Sequence, residues 1–236
     1  SYAIPPTLLS RVGNEISLAN TLAALSARYN NMLGRNNEAI TKAGQASLTV
    51  RSTYIYDGTF QNPVFRSSLT TNNVYGVRTN FGLTGANLPD AGDGRIAFYL
   101  TPNAQRGSGH FLSDLTSIPI YQPGEMILII AEANARLNTP ASLTAAVAAI
   151  NQVRTKTPAG DIYGVGSNTT SYSGATTQTA ILDEIYRQRC IELYMSGMKL
   201  EDARRFGKAA DRNRTFYPYP QQERDGNTNC PPDPAG

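Results

Sequence analysis

The stretch from Thr176 to Gly207 constrains this chain most; it reads TTQTAILDEIYRQRCIELYMSG and then MKLEDARRFG. With Leu182 at zero on a helical wheel, Tyr186, Cys190 and Leu193 fall within one quarter-turn, and Ile185 lies just to the other side. Those are helical spacings. Ile181, Ile191 and Met195 occupy the far side, so the helix is apolar nearly all round and is expected to be buried between neighbours. Arg189 falls inside the apolar stripe. A guanidinium left unpaired there is costly, so a buried acid is expected against it, Glu132 or Glu192. Gly197 is expected to end the helix in a left-handed conformation. Gly207 should close a second short helix, Lys199 to Phe206, in the same way, with Asp202 and Arg205 as an i,i+3 pair.

The helical period recurs elsewhere. A first helix is expected over Glu15 to Leu33, with Leu18, Leu22, Leu25, Tyr29, Met32 and Leu33 as its stripe. Gly34 breaks it. Asn36 is then placed to cap a second helix to about Ser47, with Ala39, Ile40 and Ala43 facing its partner. Glu125 to Leu137 reads as a helix with Met126, Ile130, Ala133 and Leu137 on one stripe. Ala131 and Ala135 allow another helix to come close, and Glu132 and Arg136 form an i,i+4 pair. Thr139 caps and Pro140 starts the next helix, to about Lys156, with Leu143, Ala146, Ile150 and Val153 inward. Short turns make each pair an antiparallel hairpin of tetratricopeptide-like form, although no clean repeat of about 34 residues is visible.

Between the hairpins, Leu48 to Pro123 is rich in Asn, Gly, Ser and Thr, with scattered aromatic residues. Short alternations at Leu48 to Tyr56 and Ile96 to Leu100 suggest a few short strands in an otherwise irregular insert. The aromatic residues argue against disorder. Pro158 to Thr177 reads as a loop with Tyr163 and Tyr172 exposed, and Arg212 to Gly236 as an extended tail. The expected fold is all-α: tetratricopeptide-like hairpins with a long irregular insert. The segments are a hairpin (1–47), the insert (48–123), the 124–207 helices and the tail (208–236), in one domain.

Composition excludes several functions. The net charge of +3 comes without any Lys/Arg-rich run, whereas nucleic-acid binding calls for a basic stripe. Two cysteines and a single histidine leave no CxxC zinc site and no His-rich centre. Cys190 and Cys230 are either two free thiols or one disulfide. No apolar run is long enough to span a membrane. His110, in Arg106-Gly-Ser-Gly-His-Phe111, has no nucleophile or acid beside it in sequence. Gly107-Ser108-Gly109 lacks the GK[ST] of a phosphate loop, and Gly92-Asp93-Gly94 lacks the alternating acids of a calcium loop. No cofactor is expected. Glu125 and Glu132 share a helix face, an arrangement that suits ion pairing better than acid–base catalysis. The loop tyrosines Tyr75, Tyr99, Tyr163 and Tyr172 are the candidate ligand-binding residues. A sugar ring has an apolar face and a polar rim, and tyrosine offers a flat surface with a hydroxyl.

Three ordered matches then resemble one family. They are Arg189, Ile191-Glu192-Leu193, Gly197, Asp202, Arg205 and Gly207; Glu125 to Leu137 followed by Asn151 and Arg154 in Ala149-Ile-Asn-Gln-Val-Arg154; and Tyr217 to Asn229, YPYPQQERDGNTN. Together they resemble the C-terminal half of the SusD/RagB outer-membrane nutrient-binding lipoproteins. Asp93-Gly94-Arg95 resembles a family "D-x-R" before a short extended piece. With Glu132, these matched residues look like a structural signature. The resemblance implies a non-catalytic, surface-exposed protein that captures a glycan or other oligomeric nutrient. It also implies delivery to a SusC-like TonB-dependent outer-membrane transporter, and a lipid anchor upstream of Ser1 on a chain otherwise freely soluble. The alternatives are a helical-repeat scaffold for protein partners without a small ligand and, further off, a glycan-processing enzyme.

Overall fold

The computed structural model describes residues 15–69, 77–102, 107–211 and 219–232. In chain order it contains α1 (Leu18–Met32), α2 (Asn36–Gln45), β1 (Thr53–Tyr54), α3 (Pro63–Leu69) and α4 (Gly94–Leu100). There follow β2 (Ile118–Pro119), α5 (Pro123–Leu137), α6 (Pro140–Thr155), α7 (Gln178–Glu192), α8 (Lys199–Arg205) and α9 (Gln221–Gly226). The all-α fold is as the sequence implies, and α1–α2 and α5–α6 are the two hairpins.

The other long helices meet through α5. It packs against α1, α2, α6 and α7, and Met126, Leu128, Ile129, Ala131, Ala133 and Ala135 on it are all fully buried. Small residues make that possible, because alanine lets two helix backbones approach without voids. One side of α5 joins Ala146, Ile150 and Val153 of α6 and Ile181 and Ile185 of α7. The opposite side joins Ala24 and Ala27 of α1 and Ala39 and Ala43 of α2. A third cluster is aromatic: Phe81, Tyr99 and Phe111 lie against Tyr186, Cys190 and Ile191 of α7.

The caps explain where the helices begin. Thr139 and Ser142 form a reciprocal capping box at the start of α6, and Pro140 occupies its first turn. The Thr177 side chain accepts from the Ala180 amide and starts α7. Asn36, by contrast, is the first residue of α2 and Arg35 is its N-cap, without a side-chain bond.

Several local expectations change. α1 begins at Leu18, not Glu15, and its buried face is not the leucine stripe. Leu22, Tyr29 and Leu33 are 45%, 59% and 66% exposed, whereas Thr21, Ala24, Ala27 and Asn31 are buried. Both sets have helical spacing, and the small set wins because α2 and α5 lie too close for leucine. α7 ends at Glu192, a turn before Gly197, because Met195 already adopts a left-handed φ of 61°. Gly197 (φ 85°) and Gly207 (φ 68°) do take positive φ, and Gly207 directly follows the end of α8. Ile96 to Leu100 is helical instead of extended: Asp93 accepts from the Arg95 amide and caps α4. The only ladder among the described residues pairs β1 with β2, Thr53 opposite Pro119 and Tyr54 opposite Ile118, closing the two ends of the insert together. The tail contains the short helix α9 where an extended run was expected. Cys190 and Cys230 are both free.

The exchange of faces on α1 is testable by urea denaturation. Ala24→Leu should destabilise by about 1–3 kcal/mol through overpacking. Leu22→Ala, on the exposed stripe, should stay within about 0.5 kcal/mol of the parent. The opposite order would restore the leucine face as the packed one.

Candidate functional site

Arg189 is 2% exposed, as its place in the apolar stripe requires, but its partner is neither Glu132 nor Glu192. Its Nε donates to Asp202 Oδ2 at 2.9 Å. α7 ends a turn early, and the connection that follows folds α8 back beneath it, which brings Asp202 under Arg189. Glu132 is already saturated. Its Oε1 accepts from Arg205 Nε (2.7 Å) and Arg136 Nε (2.9 Å), and its Oε2 from Arg205 Nη2 and Asn31 Nδ2, both at 2.9 Å. Arg205 Nη2 also donates to Asp202 Oδ1 at 2.7 Å. One guanidinium thus joins the acid of α5 to the acid of α8, and α1 reaches the same carboxylate through Asn31.

Glu192 anchors a second cluster at the last residue of α7. Arg95 Nη1 donates to its Oε2 at 3.0 Å and Lys156 Nζ to its Oε1 at 2.6 Å. Arg95 is fully buried and also grips Asp93 through Nε (2.9 Å) and Nη2 (2.6 Å), and Gln188 Oε1 through Nη2 (2.7 Å). Lys156 continues to Asp161 at 2.6 Å, and Asp161 Oδ1 accepts from the Tyr163 and Val165 amides. The first turn of α5 presses on the same carboxylate: a Cβ on Gly124 would overlap Glu192, so glycine is required there. Nothing local in the sequence announces Arg95 or Lys156. Asp93-Gly94-Arg95 is visible as a short motif, but its link to Glu192 spans nearly a hundred residues.

The remaining signature residues serve the loop after α6. Arg154 donates to Glu184 Oε1 (2.6 Å), Asp90 Oδ2 (3.1 Å) and the Thr170 carbonyl (2.8 Å). Asn151 Oδ1 accepts from the Tyr172 amide at 2.7 Å.

The four tyrosines do not share one surface. Tyr99 lies on α4, fully buried, and its hydroxyl donates to the Glu192 carbonyl at 2.7 Å. It is a core residue closed to ligand, because the segment read as irregular is a helix packed on α7. Tyr163 is half-buried; its hydroxyl meets the Ser52 backbone and Arg51 lies over its ring. Tyr172 is half-buried on the edge of the α5–α6–α7 core. Tyr75 lies outside the described residues.

A concave site does exist elsewhere. A cleft of about 210 Å³ opens between α1, the β1–β2 pair and the start of α5, with Arg28, Tyr54, His110, Gln122 and Glu125 among its walls. Arg28 and Glu125 form a two-pronged ion pair there, at 2.6 and 2.9 Å. Sequence periodicity puts Glu125 on a helix face but gives no sign that the insert's two ends close over it.

A family model described as SusD family (SusD_RagB) matches residues 27–231, most of the chain. The chain belongs to the SusD family. A solved SusD superfamily protein from Bacteroides fragilis is similar to it at 16% identity and a TM-score of 0.56, over 85% of this chain and 54% of that one. Another, from Bacteroides vulgatus ATCC 8482, is 14% identical with a TM-score of 0.47, over 83% and 54%. This SusD-family chain therefore spans about half the length of the solved proteins it matches. No curated protein matches it. No helix among its described residues is long and apolar enough to cross a membrane.

The charge clusters shift the titration of this SusD-family chain. Burial alone would raise the Glu132 carboxyl, but the Arg205 hydrogen bonds and charge, with Arg189 and Arg136 behind them, take it down to about 2. Its stabilising effect is complete above the ordinary value of 4.5 and is lost as pH falls from there towards 2. His110, walled in by Phe98, Tyr99, Phe111 and Tyr163, is pushed down to about 4 by burial. It stays neutral in the fold while the unfolded chain takes up a proton from about 6.5 downwards, so it too removes stability on acidification. Because His110 is the only histidine, its imidazole resonance reports this directly. The NMR midpoint should fall well below 6.5, near the acid unfolding of the chain; a normal midpoint would contradict its burial. Arg189→Ala should destabilise by about 3–5 kcal/mol, since Asp202 would lose a buried counter-charge. A parental urea midpoint would refute that pair.

Proposed function

We propose that this chain binds a glycan, or a similar oligomeric nutrient, without chemistry and passes it to a TonB-dependent outer-membrane transporter. The protein would act at the cell surface, held by a lipid anchor. The observation that carries the reading is the SusD-family match over residues 27–231.

The state of the carboxylates supports a non-catalytic role. Glu125, Glu132, Glu192 and Asp202 are each buried and each bonded to a guanidinium. A general acid needs a carboxyl that protonates near neutral pH, and an arginine partner works against that. Tyr163 and Tyr172, with Tyr75, stay in the proposal as aromatic contributors to a ligand surface. A second reading, a scaffold for protein partners alone, draws on the exposed Leu22, Tyr29 and Leu33 of α1, since exposed apolar stripes mark interaction surfaces.

A glycan array followed by a turnover assay on every hit tests the proposal. The expected result is retention of at least one glycan class, recovered at unchanged length. Shortened product would favour an enzyme. An empty array, together with capture of the transporter by the purified protein, would favour the scaffold.

A further inference from the structure

The cleft beside α1 has three properties that together specify a ligand. The first is charge. Its two formal charges, Arg28 and Glu125, cancel through a two-pronged pair whose side chains are only 15% and 3% exposed. Its histidine is neutral at physiological pH. An anion entering would meet the Glu125 carboxylate, and a cation would meet the Arg28 guanidinium. A neutral guest meets neither penalty.

The second property is unsatisfied polarity. Gln122 and His110 both line the cleft and both are 6% exposed. Gln122 Oε1 and His110 Nε2 nevertheless have no hydrogen-bond partner. Buried polar atoms are nearly always bonded, and an orphan costs about 1–3 kcal/mol. Gln122 is the N-cap of α5, yet its side chain makes no capping bond. Two polar side chains in one wall thus await a partner that the protein does not supply. The third property is a flat apolar face. Ile118 and Pro119 line the cleft beside Tyr54, which is 53% exposed. An exposed tyrosine next to waiting polar groups matches a guest with an apolar face and hydroxyls at its edge. At about 210 Å³ the cleft is smaller than the 300–1,000 Å³ typical of pockets for larger ligands, so it has room for one ring.

We propose that this cleft is a subsite for a single neutral sugar ring, stacked on Tyr54 and hydrogen-bonded by Gln122, His110 and the Arg28–Glu125 pair. The ring is a free monosaccharide or the end residue of a chain. This assignment rests on the nutrient-binding reading but names a different surface from the loop tyrosines Tyr163 and Tyr172.

The single histidine makes the test clean. Protein labelled at His110 is titrated by NMR with glucose, galactose, mannose and N-acetylglucosamine, as the parent, Tyr54→Ala and Gln122→Leu. At least one sugar should move the His110 imidazole signals of the parent. Tyr54→Ala should weaken that sugar about fivefold, with the sugar-free His110 spectrum unchanged, which shows the wall intact. Gln122→Leu should weaken it as well. The subsite is refuted if no sugar moves His110, or if both variants titrate as the parent does. A glycan held on the array while His110 stays still would also refute it, leaving the nutrient reading in place. His110 shifting with a monosaccharide while no glycan is retained on the array would keep the subsite and overturn that reading.

Discussion

The Glu192 carboxylate is where the two halves of the chain are joined. It is fully buried at the end of α7, between Arg95 from the insert and Lys156 from the end of α6. The first turn of α5 touches it at Gly124. Four segments distant in sequence therefore converge on two oxygen atoms. Burying that charge is unfavourable unless both cations arrive together, so the arrangement forms as a unit or not at all. The insert is held to the helices by this contact and by the β1–β2 pair more than by any regular structure of its own.

Glu132 plays the equivalent part at the other end of α7. There Arg205 bridges Glu132 and Asp202, and Asp202 neutralises Arg189. The two clusters fix α7 against α5, α6, α8 and α4, and between them lies the aromatic cluster with Tyr99 and Tyr186. Hydrophobic packing alone would tolerate some sliding of α7, whose apolar residues ring most of its circumference. Hydrogen-bonded charges at each end select one register. The cleft beside α1 inherits that rigidity, because Gln122 and Glu125 sit on the turn of α5 that Glu192 holds.

What the sequence discloses follows from how local the cause is. Helix period, the Thr139–Pro140 start, the positive-φ glycines and the Glu132–Arg136 pair are settled within a few residues, and all are legible. The need for an acid against Arg189 is legible too, since it follows from polarity in an apolar stripe. Which acid is not, because that depends on α7 ending at Glu192 and on the return of α8. The burial of α1 was misjudged for a related reason: two faces had helical period, and only the closeness of α2 and α5 chose the alanine face. Tyr99 went astray because five residues between turn signals give too little pattern to separate helix from strand. The cleft was out of reach of sequence, since its walls come from three separate segments.

The central claim, that a buried charge at Glu192 holds these segments together, is tested most directly by Glu192→Gln. The substitution preserves shape and removes only the charge, leaving Arg95 and Lys156 without their shared acid. Urea denaturation should show a loss of about 3–5 kcal/mol, with the His110 signals perturbed as the insert loosens. A stability within about 0.5 kcal/mol of the parent, with His110 unmoved, would contradict the account.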